Sequence, residues 1–263
     1  MIKLIACDID GTLINDGTKT ELEKAPSQEV IELIKELKSA GYTFCISTGR
    51  QYPGVKYLFG DAADDVIYNC ENGAYVIRNE KLISRVLMDK QIAREIVEDI
   101  LKIPGAQPMI SGATVCYLIN PTEEFYKIVT EHLGNVGVVV NSFDDIPEEI
   151  QKIAICKIDG VADIAPDFIA RWGDKVNVAV AGDMWLDFNV SDKGMGIEAI
   201  AKAMKIDKSE IAAFGDNYND ISMFKAAGLS FAMSIAEDGV KRFADKECRN
   251  VPETCRELFL KRG

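Results

Sequence analysis

The 263-residue sequence predicts an α/β protein, with a doubly wound, mainly parallel sheet core that is interrupted by a second, α+β domain. The first observation is the apolar run Ile2–Cys7, which does not alternate with polar residues and is therefore typical of a strand buried on both faces. The second is that strand and helix patterns alternate over roughly the first seventy residues and again after Ser191, which implies right-handed crossovers between parallel strands. Between these regions the pattern changes to paired strands and helices joined by short turns.

The first region is assigned from its periodicity and its turn residues. After the opening strand and a polar loop to Ala25, the predicted elements are a helix from Pro26 to Gly41, a strand Tyr42–Ser47, a short helix broken by Pro53 and Gly54, a strand Val66–Cys70, and a hairpin Ala74–Val86 around Asn79–Glu80. The helix is supported by helical spacing of Val30, Ile34 and Leu37.

The middle region predicts a separate α+β domain with an antiparallel sheet. Its predicted elements are a helix Asp89–Leu101, paired strands Pro108–Ser111 and Thr114–Ile119, a helix Pro121–Leu133, strands Val136–Val140 and Ile153–Ile158, a helix Val161–Trp172, and strands Lys175–Val180 and Trp185–Asn189.

The last region returns to the strand–helix alternation. Its predicted elements are a helix Gly196–Met204, a strand Glu210–Phe214, a helix Tyr218–Ala226, a strand Leu229–Ala232, a helix Ala236–Phe243 and a final helix Pro252–Leu260. We therefore expect a discontinuous core domain over residues 1–84 and 190–263, with an inserted domain over residues 85–189.

Composition excludes several classes of function. A formal net charge of −12 argues against nucleic acid and membrane-surface partners, because an acidic protein repels phosphate backbones. No apolar run approaches the roughly 18 residues that span a bilayer. The seven cysteines form no CxxC pair and lie mostly in apolar runs, which predicts free thiols in the cytoplasm. His132, the one histidine, lies on a polar stretch, so we expect no histidine triad.

Three polar clusters follow predicted parallel strands, where ligands bind in open α/β sheets. Asp8 and Asp10 follow the first strand and project to the same side. Thr48 follows the second strand, and Asp216 and Asp220 follow a later one. Two carboxylates about 4 Å apart repel by about 4 kcal/mol at an effective dielectric near 20, so either a cation lies between them or one of them holds a proton. Magnesium suits a site of few carboxylates beside a phosphate, and Lys193 and Thr48 add donors for a dianionic group.

Four segments, in this order and spacing, resemble the motifs of the haloacid dehalogenase-like (HAD) hydrolase superfamily: the stretches DIDGT from Asp8, STGR from Ser47, DKG from Asp192 and GDNYND from Gly215. The inserted domain resembles the large type-two α+β cap of the Cof-type branch. DxDGT and GDxxND together are highly specific, whereas STGR alone would not be. The resemblance covers essentially the whole chain and implies a HAD-like core with a cap that sets substrate specificity.

The resemblance implies a phosphatase in which Asp8 attacks phosphorus to give an aspartyl-phosphate and Asp10 acts as general acid and base. It implies Mg²⁺ held by the Asp8 carboxylate, the Asp10 backbone carbonyl and Asp216, with Asp220, which would not touch the metal, orienting a metal-bound water. Thr48 and Lys193 would grip the phosphoryl oxygens, with Asn219 nearby. Two roles remain open for Arg50: it contacts the substrate, or it pairs with a carboxylate at the sheet edge.

The expected substrate is a small phosphorylated metabolite, such as a sugar phosphate or a phosphorylated cofactor, with monomer and homodimer both open. A phosphomutase or phosphotransferase would use the same aspartyl-phosphate step. A receiver-like phosphorylation switch also combines acidic residues, Thr and Lys, but needs only about half of this length. An NAD-binding oxidoreductase is the remaining alternative, because Gly194, Gly196 and Ala199 match the G-x-G-x-x-A pattern. However, Ser191, Asp192 and Lys193 separate these glycines from the preceding strand.

Overall fold

The computed structural model describes residues 1–14, 25–60 and 66–261. The loop predicted between the first strand and the first helix lies mostly outside these described residues. The chain divides into two compact units. Unit 1 comprises Met1–Arg50, Val55–Arg85 and Asp192–Gly263, and unit 2 comprises Gln51–Gly54 and Val86–Ser191.

The described strands and helices are numbered here in chain order. The strands are β1 (Leu4–Cys7), β2 (Thr43–Ser47), β3 (Ile67–Cys70), β4 (Tyr75–Arg78), β5 (Lys81–Arg85), β6 (Ala106–Ser111), β7 (Cys116–Ile119), β8 (Gly137–Val140), β9 (Lys152–Lys157), β10 (Asn177–Val180), β11 (Trp185–Asn189), β12 (Ile211–Gly215), β13 (Leu229–Met233) and β14 (Lys246–Cys248). The helices are α1 (Gln28–Ser39), α2 (Tyr52–Phe59), α3 (Lys90–Ile100), α4 (Glu123–Lys127), α5 (Ala165–Trp172), α6 (Lys193–Met204), α7 (Ile221–Ala226), α8 (Asp238–Lys241) and α9 (Val251–Cys255).

Unit 1 is built on an eight-stranded sheet with the order β14-β13-β12-β1-β2-β3-β4-β5. The pairs from β14 to β3 are parallel, and β4 and β5 add an antiparallel hairpin at one edge. All four residues of β1 are buried, as the non-alternating apolar run predicted. Because the strands are parallel, the residues that follow β1, β2 and β12 emerge at the same edge of the sheet, which confirms the predicted parallel α/β core.

Local sequence signals explain the first helices. Ser27 caps α1, since its side chain accepts from the amide of Val30, and the helix buries the apolar stripe that its spacing predicted. The predicted break at Pro53 and Gly54 is wrong, because α2 runs through both residues. Pro53 is the second residue of the helix, where a backbone N–H would have no intrahelical partner, so proline removes no hydrogen bond there.

Unit 2 is built on a six-stranded sheet with the order β10-β11-β9-β6-β7-β8. Apolar residues of α3 and α5 pack with one face of this sheet, and residues of α4 pack with the other. The antiparallel prediction is correct for β6, β7, β9, β10 and β11 but wrong for β8, which pairs with β7 in parallel. The intervening helix α4 provides the crossover that a parallel pair requires.

Helix α6 and strand β14 also differ from the sequence prediction. Helix α6 begins at Lys193 rather than Gly196, with Asp192 as its cap accepting from the amide of Met195 at 2.9 Å. Strand β14 was not predicted, since it has only three residues and two of them are charged. All seven cysteines are free and buried. Within the described part of the chain, no helix has both the length and the apolar character needed to cross a membrane.

Candidate active site

The parallel sheet of unit 1 brings four separate segments of the chain to one edge. Asp8 directly follows β1, Thr48 follows β2, Asp216 follows β12, and Lys193 is the first residue of α6. The Asp8 amide donates to the carbonyl of Phe214 at 3.0 Å, which fixes the end of β1 against β12. The strand order therefore accounts for the predicted clustering of Asp8, Thr48 and Asp216.

Lys193 joins two of the acidic residues. Its Nζ lies 2.6 Å from Asp8 Oδ1 and 2.6 Å from Asp220 Oδ1, and its side chain has no solvent exposure. Charge-assisted hydrogen bonds of this length in a buried site are strong and directional. Lys193 therefore fixes the orientation of the Asp8 carboxylate.

Both carboxylate oxygens of Asp220 accept hydrogen bonds from other groups of the protein. Oδ1 accepts from Lys193, and Oδ2 accepts from the amides of Asp216 at 2.9 Å and Asn217 at 3.0 Å. Gly215 allows this packing, because a Cβ at that position would lie 2.4 Å from the Asp220 Cγ. The carboxylate of Asp220 thus organises the loop that presents Asp216.

Asp216 lies beside the turn that follows β1. Its Oδ1 accepts from Thr12 Oγ1 at 2.8 Å. A Cβ at Gly11 would lie only 2.2 Å from Asp216 Oδ2, and Gly11 has a φ of +84°. Only glycine meets both the backbone conformation and the space at this position.

Asp10 pairs with Arg50, whereas Asp8 pairs with Lys193. Arg50 donates to both oxygens of the Asp10 carboxylate, from Nε to Oδ2 at 2.8 Å and from Nη2 to Oδ1 at 2.7 Å. Of the two alternatives for Arg50, the structure shows the pairing with a sheet-edge carboxylate. The Arg50 amide also donates to Thr48 Oγ1 at 3.1 Å, so Thr48 and Arg50 are fixed together after β2.

Asn219 lies near the turn that follows β3. Its Nδ2 donates to Asn72 Oδ1 at 3.2 Å, and the same Oδ1 would lie 3.3 Å from a Cβ at Gly49. Asn72 has a φ of +51°, a conformation that asparagine tolerates better than most residues. Asn72 therefore lies beside two of the motif segments, the one that contains Gly49 and the one that contains Asn219.

The acidic residues at this edge carry unbalanced negative charge. Burial is the main influence that raises the pKa of Asp8, and neighbouring carboxylates act in the same direction while Lys193 opposes them. Burial raises the pKa of Asp216 to about 6, with Asp220 adding to the effect and the hydrogen bond from Thr12 opposing it. Burial lowers the pKa of Lys193, but the carboxylates of Asp220 and Asp8 outweigh it and the net shift is upward. One lysine does not neutralise the cluster.

The donor set fits a hard divalent cation. Carboxylate oxygens of Asp8, Asp216 and Asp220 all lie within 4.8 Å of one another. Asp220 already uses both of its oxygens, so Asp8 and Asp216 supply the carboxylate donors that remain for a metal. Two carboxylates leave most positions of an octahedral ion to water, backbone carbonyls and substrate, which is the way proteins hold Mg²⁺.

Two kinds of residue at this site were not predicted from the sequence. Thr12 and Gly11 belong to the DIDGT segment, but their contacts with Asp216 were not foreseen, since the partners are 204 residues apart in the case of Thr12. Asn69 was assigned only to a strand, although its Nδ2 donates at 2.9 Å to the backbone carbonyl of Lys193. A buried asparagine in an apolar strand was the available signal.

The glycines of the dinucleotide-like pattern are explained by packing. Gly194 and Gly196 lie in the first turn of α6, where a Cβ would lie 2.5 Å from the carbonyl oxygen of Ser222 and 1.9 Å from Asn69 Oδ1, respectively. They permit close approach of the helix to its neighbours. The G-x-G-x-x-A pattern therefore no longer supports the oxidoreductase alternative.

Comparison with known proteins agrees with this geometry. A family model described as haloacid dehalogenase-like hydrolase matches residues 5–254. The chain is 27% identical over 242 residues to the 5-amino-6-(5-phospho-D-ribitylamino)uracil phosphatase YbjI of Escherichia coli, covering 91% of this chain and 88% of that protein. It is 26% identical over 275 residues to the pyridoxal phosphate phosphatase YbhA of Escherichia coli, covering 92% of each.

The fold is also shared with solved structures. A haloacid dehalogenase-like hydrolase from Bacteroides thetaiotaomicron superimposes with a TM-score of 0.84 at 21% identity, over 98% of this chain and 100% of that one. A match of this identity shows the fold alone, while the family model spans nearly the whole sequence. The chain therefore belongs to the haloacid dehalogenase-like hydrolase family, which confirms the fold and the phosphatase class predicted from its four motifs.

Proposed function

We propose that this protein is a magnesium-dependent phosphatase that hydrolyses small, soluble phosphate monoesters through an aspartyl-phosphate on Asp8. The observation that carries the proposal is the position of Asp8, whose buried carboxylate is oriented by Lys193 at 2.6 Å and lies within a cluster that includes Asp216. A carboxylate held in this way meets the requirement for a positioned nucleophile.

In the first half-reaction a carboxylate oxygen of Asp8 forms a bond to phosphorus while the bond to the leaving oxygen breaks. Asp10 gives a proton to that oxygen, so the product leaves as a neutral alcohol. In the second half-reaction Asp10 takes a proton from water, which attacks phosphorus, and the acyl phosphate bond breaks to regenerate the Asp8 carboxylate and release inorganic phosphate.

Magnesium would be held by the carboxylates of Asp8 and Asp216 and by the Asp10 backbone carbonyl, and when bound it would offset the charge of the phosphoryl group. Asp220 supports this arrangement indirectly, because its Oδ2 fixes the amides of Asp216 and Asn217. A bound cation would favour the ionised form of Asp216, whose pKa is raised to about 6 without one.

The remaining groups are suited to holding phosphoryl oxygens. An ammonium group has three N–H donors. Lys193 donates to Asp8 and to Asp220, and we assign its third N–H to a phosphoryl oxygen of the substrate. Thr48 supplies a hydroxyl and Asn219 an amide at the same edge. Arg50 is assigned to positioning Asp10 rather than to binding substrate, on the basis of its two hydrogen bonds to that carboxylate.

We infer that unit 2 is the cap domain and that it selects the leaving group. This follows the predicted division into a core of residues 1–84 and 190–263 and an insert of residues 85–189. The similar phosphatases act on a phosphorylated ribitylaminouracil and on pyridoxal phosphate. These compounds support the class of sugar phosphates and phosphorylated cofactors for this chain. The free, buried thiols suit a cytoplasmic location.

The proposal is tested with purified protein, magnesium and a panel of phosphorylated metabolites, measured as released inorganic phosphate. We expect hydrolysis of one or more sugar phosphates or phosphorylated cofactors. Chelation should stop the reaction, and added magnesium should restore it. A folded protein that releases phosphate from no member of the panel, with or without magnesium, would contradict the proposal.

A further inference from the structure

The start of α6 is held unusually close to the surrounding backbone. A Cβ at Gly73 would lie 2.0 Å from the carbonyl oxygen of Asp192, and a Cβ at Gly194 would lie 2.5 Å from that of Ser222. On the third side, a Cβ at Gly196 would lie 1.9 Å from Asn69 Oδ1. The backbone at the start of α6, from which the Lys193 side chain extends, is therefore enclosed by β3, the turn after β3 and α7.

Asn69 makes the polar contact in this enclosure. It lies on β3 opposite Ser47 of β2 and has no solvent exposure. Its Nδ2 donates to Ser47 Oγ at 2.9 Å and to the Lys193 carbonyl at 2.9 Å. The amide orientation is unambiguous, because a carbonyl accepts only and must face the NH₂ group.

The carbonyl oxygen of the same side-chain amide lowers the stability of the folded protein. Asn69 Oδ1 is buried and has no hydrogen-bond partner within the described residues. An unsatisfied buried acceptor costs about 1–3 kcal/mol, and an apolar side chain of similar size would avoid that cost. Polar groups that the fold itself does not favour are expected at functional sites.

We infer that Asn69 is a positioning residue of the reaction: its amide fixes the backbone of Lys193 so that Nζ orients the Asp8 carboxylate. This inference rests on the proposed function and extends it to a residue outside the four motifs. From a fixed first turn, the buried Lys193 side chain reaches Asp8 and Asp220, each at 2.6 Å. A shift of its backbone would move the nucleophile that Lys193 holds.

The experiment compares Asn69→Leu with Ser47→Ala. Both substitutions remove the side-chain hydrogen bond between Asn69 and Ser47, but only Asn69→Leu removes the bond to the Lys193 carbonyl. We expect Asn69→Leu to lower kcat by about 10- to 100-fold with a smaller change in KM, the size typical of residues that orient catalytic groups. Ser47→Ala should keep kcat within about twofold, since it leaves that bond in place. The melting temperatures of both variants are measured alongside, and we expect Asn69→Leu to be no less stable than Ser47→Ala.

A second readout does not depend on activity. Amide hydrogen exchange over the first turn of α6 should be faster in Asn69→Leu than in the wild type and unchanged in Ser47→Ala. Equal kcat values for the two variants, or equal exchange in that turn, would overturn the inference. A loss of kcat that merely follows a lower melting temperature would overturn it as well. If the wild type hydrolyses no phosphate ester, the proposed function fails, and the exchange measurement still decides whether Asn69 anchors Lys193.

Discussion

Arg50 holds Asp10 by both carboxylate oxygens, with Nε 2.8 Å from Oδ2 and Nη2 2.7 Å from Oδ1. A guanidinium that donates two parallel hydrogen bonds fixes the plane of a carboxylate as well as its position. The Arg50 amide is itself bound to Thr48 Oγ1, so the segment after β2 determines where the proposed acid and base of the reaction lies.

A double-mutant cycle tests whether Arg50 acts through Asp10. Asp10→Asn should lower kcat/KM by about 10²- to 10⁴-fold for an alkyl phosphate, whose leaving group needs a proton. Arg50→Ala should lower it by about 10-fold in the wild-type background. We expect almost no further loss from Arg50→Ala in the Asp10→Asn background, because the group it positions is already absent. Losses that multiply would show that Arg50 acts directly on the substrate instead.

Gly11 and Gly41 form a matched pair for testing the packing against Asp216. Their φ values are +84° and +87°, but a Cβ at Gly11 would lie 2.2 Å from Asp216 Oδ2, while nothing lies within 4 Å of one at Gly41. Each change to alanine should cost about 1–2 kcal/mol for the left-handed conformation. Gly11→Ala should in addition weaken magnesium binding, measured by titration calorimetry, because it displaces a proposed ligand.

Gly41→Ala should leave the affinity for magnesium unchanged. Equal magnesium affinities in the two alanine variants would mean that the position of Asp216 does not determine metal binding.

The raised pKa of Asp216 predicts how pH affects the metal-free protein. Its folded-state value of about 6 exceeds the ordinary 3.8, so protonation stabilises the fold at low pH and this contribution is lost as pH rises through about 6. The difference corresponds to about 3 kcal/mol as an upper value. A bound cation requires the ionised carboxylate, so magnesium should raise the melting temperature more at about pH 8 than at about pH 5.

Asp216→Asn is the control for this prediction. Without the titrating group, the stability of the metal-free variant should exceed that of the wild type above about pH 6, and the stabilisation by magnesium should be much reduced. A magnesium effect that is equal at both pH values in the wild type would argue against Asp216 as a ligand.

The features that the sequence predicted correctly depend on local signals. The carboxylates of DIDGT and GDNYND follow apolar strands directly, and parallel strands place such residues at one edge without further information. The start of α6 was misplaced because Gly194 and Gly196 disfavour helix in isolation, although Asp192 was a suitable N-cap. Packing against Asn69 and Ser222 gives those glycines a tertiary role that overrides their low helix propensity.

The features that were missed depend on partners far away in the chain. Asn69 contacts Ser47 and Lys193, which are 22 and 124 residues distant. For Arg50, pairing with a carboxylate at the sheet edge was one of two alternatives, but the sequence did not identify Asp10, 40 residues away, as that partner. Such contacts follow from the register of β1, β2 and β3 and from the path of α6, which periodicity cannot supply.

The proposed mechanism requires that Asp8 itself bonds to phosphorus. The direct measurement is a rapid acid quench of the enzyme during turnover with magnesium and a substrate from the panel, followed by peptide mass spectrometry. We expect a peptide that contains Asp8 and carries the mass of one phosphoryl group, and we expect no such peptide from Asp8→Asn. Turnover that continues in Asp8→Asn, or a phosphoryl group found on a different residue, would contradict this mechanism.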